Sequence, residues 1–104
     1  KHGCGILNKL YVLHQASLAC PDYRLAELRE YALNTLTKIV GYHQTDGGFS
    51  FHLNRAQPAY YGVLVSLGKR QSDMHGTVMF TWACAIALEL LGLRERLGWR
   101  LSYP

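Results

Sequence analysis

The chain has 104 residues, enough for one domain with a modest core. Apolar residues make up 49% of it, which excludes a disordered polar segment. The net charge of +4 is scattered, with Lys69-Arg70 and Arg94, Arg96 and Arg100 the nearest to clusters. Solvated surface explains them better than a nucleic-acid interface, which would show a denser basic stripe or a known module.

The sequence opens at Lys1 rather than Met, as an excised piece or a processed product would. No unbroken apolar run follows, so no signal peptide is expected. Cys4, Cys20 and Cys84 form no CxxC pair, so neither a zinc ribbon nor a redox dithiol is encoded locally. Reduced thiols in a cytoplasmic protein are the simplest reading, with a disulfide between distant cysteines left open.

In chain order, Ile6, Leu10, Leu13 and Ser17 recur at helical spacing and predict a first helix over about residues 4–19. Cys20-Pro21-Asp22 ends it and starts a second, in which Leu25, Leu28, Ala32, Leu36 and Ile39 step by three or four. Glu27, Glu30, Asn34 and Lys38 take the opposite side, so this is an amphipathic outer helix that stops at Gly41. A glycine-rich loop follows, and then residues 59–68, "AYYGVLVSLG". Tyr60, Tyr61, Val63 and Val65 favour a strand there, whereas Pro58 also suits a helix start; helix is the expectation.

Residues 75–92 form the last major element, and carry no charge from Gly76 to Leu88. A helix without a polar side belongs inside a protein or in a membrane. Its length is at the lower limit for a span, so a buried inner helix is expected and a transmembrane segment is not. His2-Gly3 and His75-Gly76 each precede an apolar run, a faint internal repeat that suggests alternating inner and outer helices. Cys20 and Cys84 read as packing residues.

The loop "GYHQTDGGFSFH" raises a choice between a structural clasp and a ligand loop. Gly47 and Gly48 permit tight backbone turns, Asp46 can accept turn amides, Gln44 can bridge neighbouring helix ends, and Phe49 can plug the gap between them. The lysine and hydroxyl of a phosphate-binding loop are absent. A structural clasp is the favoured reading.

The run from Lys38 to Phe49 resembles the glutamine–aromatic repeat of terpenoid cyclases and protein prenyltransferases. Ser72-Asp73-Met74-His75-Gly76-Thr77, leading into an apolar helix, is similar to an inner-helix start in those proteins. The resemblance implies an all-α chain of toroid-like helical hairpins: a single helical domain over 1–104, part of a larger α/α toroid completed by further chain or by self-association. It implies that His2, Cys4, Asp73, His75 and Thr77 face the cavity mouth, where helix N-termini favour anions. Asp73 as a helix cap, His75 as a hydrogen-bonded wall residue and Thr77 packed near the helix start is the favoured reading; otherwise Asp73 and His75 are the catalytic candidates, and His2, Cys4, Tyr60, Tyr61, Thr77 and Trp82 the ligand-binding ones. Phe80 is a further aromatic candidate for the wall of an isoprenoid pocket. Asp73, His75 and Cys4 are the candidate metal ligands, with zinc or magnesium as the cofactor.

The chain departs from these families in lacking the Asp-x-Asp-Asp and Asp-Asp-x-x-Asp motifs. Gly3-Cys4-Gly5 matches the start of the thioester stretch of complement-like toroids, but Ile6-Leu7 replace its Glu-Gln, so no thioester can form. Two function classes follow. One is a prenyltransferase- or cyclase-like segment that acts on or binds a hydrophobic, isoprenoid-like small molecule. The other is a non-catalytic helical scaffold or protein-interaction module of the same architecture.

Overall fold

The computed structural model describes residues 2–98; Arg100 and the side chain of Arg94 lie outside what it describes. Within it the chain is mostly helical: α1 spans Gly3–Ala19, α2 Leu25–Val40, α3 Met74–Leu90 and the short α4 Arg94–Leu97. Between α2 and α3 lies a two-stranded antiparallel ribbon, β1 (Ala59–Tyr60) with β2 (Val63–Leu64), in register Ala59 to Leu64 and Tyr60 to Val63. No described helix is long and apolar enough to cross a membrane. Lys69, Arg70 and Arg96 are exposed.

The three long helices share one core. Leu10, Phe80 and Ile86 are fully buried, each contributing about 1.5–3 kcal/mol by leaving water. Helix α3 is the hub, packing on both α1 and α2, while α1 and α2 touch each other least. The buried stripe of α1 is Gly3, Ile6, Leu7, Leu10 and His14. It is therefore turned away from the expected line, with Leu13 only half-buried and His14 inside. Burial pushes the His14 imidazole below its ordinary value, with the charge of Glu89 opposing the shift. On α2, Ala32, Thr35 and Ile39 face the core, and Glu27, Glu30, Asn34 and Lys38 are exposed.

Four expectations change. Residues 59–68 are not helical: Gly62 and Tyr61 both have positive φ, 79° and 48°, and the turn they make folds the segment back on itself. Helix α2 begins at Leu25 rather than at Pro21, because Cys20 to Arg24 form a turn closed by the Tyr23 amide on the Cys20 carbonyl. Arg24, at φ 52°, caps α2 without a side-chain bond to its amides and instead forks onto the Glu27 carboxylate. Cys20 is exposed there, outside the core, whereas half-buried Cys84 sits against the core and burial raises its thiol pKa. Helix α3 is not covered all round: Met74, Val78 and Thr81 are exposed along one side, Val78 by 55%. All three cysteines are free thiols.

Candidate functional site

The glycine loop ties the end of α2 to the start of α3, and the bonds are specific. His43 and Phe49 pair as an antiparallel bridge, the Gln44 amide donates to the Gly48 carbonyl at 2.8 Å, and the Ser50 amide donates to Tyr42 at 2.9 Å. Gln44 is buried, and its Nε2 donates to Ser50 Oγ at 2.8 Å, inside the loop rather than to a neighbouring helix end. Ser50 Oγ in turn donates to the His52 carbonyl, at 2.6 Å. Phe49 packs on Phe80, with ring centroids 5.7 Å apart, at the edge of the core.

Asp46 reaches across to the segment before α3. Its Oδ2 accepts from the Ser72 amide and hydroxyl at 3.0 and 2.9 Å, and its Oδ1 accepts from the Gly48 amide at 3.2 Å. These donors, the Ser72 amide first, hold the carboxyl below the ordinary aspartate value of 3.8. Because the folded state is the stronger acid, the stabilisation is present above that value and is lost as pH falls through the lower folded one. Asp46→Asn is expected to flatten the acid limb of thermal stability plotted against pH. Parallel acid limbs for variant and wild type would show that Asp46 adds nothing there.

The proposed cavity-mouth residues divide into two groups. Asp73 is the N-cap of α3 and only 8% exposed. Its Oδ1 accepts from the Gly76 amide at 2.6 Å, and its Oδ2 from the amides of Phe51 and Gln57 at 2.8 and 2.9 Å. With both oxygens held by backbone, Asp73 does not orient His75, and the expected acid–base pair is not formed. Thr77 is equally committed, accepting from the Phe49 amide at 3.1 Å and donating to the Phe49 carbonyl at 3.3 Å. His2 caps α1, taking the Gly5 amide on Nδ1 at 3.3 Å, and stacks on Phe51 with centroids 5.0 Å apart.

His75 and Cys4 form the second group. The capping geometry explains their meeting: His2 and Asp73 have the same extended backbone, and each accepts from the amide three residues on. Cap to cap, His2 corresponds to Asp73, Cys4 to His75 and Gly5 to Gly76. The sequence repeat is therefore displaced by two residues from the structural one. The His75 ring meets Tyr60 at a tilt, centroids 4.1 Å apart, and the pKa of the Tyr60 hydroxyl is raised above its ordinary value first by the Tyr61 side chain and least by Cys4. His75 Nδ1 is buried and has no hydrogen-bond partner, a state that costs about 1–3 kcal/mol.

Beyond this pair, Cys4, Tyr11 and Leu18 recur every seventh position on α1, and His75, Val78 and Trp82 step by three and four on α3. Tyr11 meets Trp82 edge-on, with centroids 6.2 Å apart, so the two rows share one side of the helix pair. Tyr60 stands at its amino end. Tyr61 is 88% exposed and packs on Tyr60, with ring centroids 4.4 Å apart, at the edge of this side, whereas Phe80 is fully buried against Tyr42 and does not line it. Among the described residues no three His, Cys, Asp or Glu side chains converge on one point as metal ligands. The seven-residue spacing of Cys4, Tyr11 and Leu18 was a legible signal for the open row; the pairings of Asp46 with Ser72 and of Gln44 with Ser50 had none.

A concavity lies between α1 and α2, beside the turn that joins them. It encloses about 380 Å³ between Leu13, Ala16, Tyr23, Leu28 and Tyr31, and does not reach His75 or Cys4. No family model, curated protein or solved structure matches the chain.

Proposed function

We propose that the open α1–α3 side binds an elongated apolar ligand of isoprenoid type, as one wall of an α/α-toroid-like protein, and that this chain contributes binding rather than catalysis. The observation that supports it most is on α3. The helix is uncharged from Gly76 to Leu88, yet it leaves Met74 and Val78 uncovered, and the buried, unpartnered Nδ1 of His75 lies in its first turn. An apolar chain laid along Tyr11, Val78 and Trp82 would remove that surface from water, with its head beside the His75 and Tyr60 rings. Asp73 and Thr77 position the wall; the ligand-facing residues are Cys4, Tyr60, His75, Val78 and Trp82.

Calorimetric titration with farnesol tests this. Saturable binding is expected, weakened roughly tenfold by Val78→Asp, since burying a carboxylate against the chain is costly. His75→Ala should weaken binding while leaving stability unchanged or higher, because the unpartnered nitrogen is removed. Absence of saturable binding, or equal binding by Val78→Asp, would reject the proposal. The 380 Å³ trough between α1 and α2 favours a second reading, a non-catalytic scaffold whose outer flank docks another helix.

A further inference from the structure

From Gly47 to Ser72 the chain holds no acidic residue, while Arg55, Lys69 and Arg70 supply positive charge. The ribbon places these charges together. The Ala56 amide donates to the Lys69 carbonyl at 2.9 Å, which brings Arg55 alongside Lys69-Arg70 at its base. Farther out, the Val65 amide donates to Pro58 at 2.8 Å, and β1 pairs with β2 up to the turn at Tyr61-Gly62. Tyr61, Val63, Leu64, Val65 and Leu67 are all exposed at this outer end. Adjacent strand residues point to opposite faces, and Val63 and Leu64 are both exposed, so apolar surface is open on each face of the tip although Tyr60, beside Val63, turns its ring onto His75.

We infer that this ribbon is an interfacial membrane contact, with its apolar tip inserted among the acyl chains of an anionic bilayer and its basic base at the phosphates. A protein groove or sheet edge would cover one face of the ribbon and leave the other in water. A tip that is apolar on both faces suits a medium that surrounds it. From Pro58 to the turn the ribbon extends about 10–13 Å at strand rise, of the order of the depth reached by interfacial anchors. Its unpaired outer backbone groups keep it at that level, because they require water or head groups. Tyrosine at the tip suits the same boundary. Arg55, Lys69 and Arg70 complement the negative surface potential.

The test is co-sedimentation of the full chain with phosphatidylcholine vesicles, with and without phosphatidylserine. Binding is expected to the phosphatidylserine vesicles and to fall as salt rises. Lys69→Gln and Arg70→Gln should each lower it about fivefold, and Tyr61→Glu with Leu64→Glu should abolish it. The helical circular-dichroism signal should be retained, since both side chains are exposed; if it is not, Tyr61→Trp substitutes, and its emission must shift to the blue on phosphatidylserine vesicles. No sedimentation with those vesicles, no blue shift, or binding that survives the tip variants would overturn the inference. So would a self-associated species that the tip variants dissociate in the absence of vesicle binding. Val78→Asp should bind vesicles normally, which separates failure of this inference from failure of the farnesol proposal.

Discussion

Gly76→Ala is expected to destabilise the protein by about 3 kcal/mol, the upper part of the usual overpacking range. A Cβ at this position would lie 2.4 Å from the Phe51 amide nitrogen, 2.5 Å from the Ser50 carbonyl carbon and 2.7 Å from the Phe49 oxygen. All three are backbone atoms of a segment that is itself pinned to Asp73 and Thr77, so no flexible side chain can swing aside. The first turn of α3 would have to lift off the loop, carrying Phe80 from its contact with Tyr42. For a domain of this size such a loss lowers the melting temperature by roughly 12–24 °C. Thermal melts followed by circular dichroism measure it, with Gly62→Ala, which meets no atom within 4 Å, reporting the cost of a positive-φ glycine alone. Equal melting of the Gly76 variant and wild type would mean that α3 and the loop are not in contact as described.

Asp73→Ala should cost a similar amount, about 3 kcal/mol, for a different reason. The carboxylate serves as helix cap and as the shared acceptor for two loop amides; charge-assisted bonds are worth about 1.5–3 kcal/mol each and the three are not additive. Removal leaves the Phe51 and Gln57 amides without their acceptor in a half-buried place. Asp73→Asn should recover part of the loss, since its one carbonyl oxygen can keep either the cap or the loop amides. Denaturant titration of the three proteins gives the ordering wild type, Asn, Ala. If Asp73→Ala is as stable as wild type but loses farnesol binding, Asp73 belongs to the ligand site instead of the frame.

The helices were legible in sequence because their side-chain period is set by a local geometry that tertiary packing only reinforces. Leu25 to Ile39 shows this: one side apolar, the other Glu27, Glu30 and Lys38. Residues 59–68 failed for an equally physical reason. Pro58 and Gly68 are compatible with either structure, and the deciding feature is the positive φ at Tyr61, which no neighbour-residue preference announces. The site was partly legible. His75 does meet Tyr60, but the His-Gly repeat paired His75 with His2 where the structure pairs Asp73 with His2, since a histidine and an aspartate can fill the same capping position. The acid–base reading of Asp73 and His75 rested on the family resemblance and on their spacing. The spacing could not reveal that Phe51 and Gln57, far along the chain, would occupy the carboxylate.

Two apolar flanks compete for any ligand, and mapping farnesol on nitrogen-labelled protein by amide chemical-shift perturbation separates them directly. Saturable shifts concentrated at Cys4, Tyr11, Tyr60, His75, Val78 and Trp82 are predicted. Shifts gathered instead at Leu13, Ala16, Tyr23, Leu28 and Tyr31, or none that saturate, would contradict the assignment of function to the open α1–α3 side.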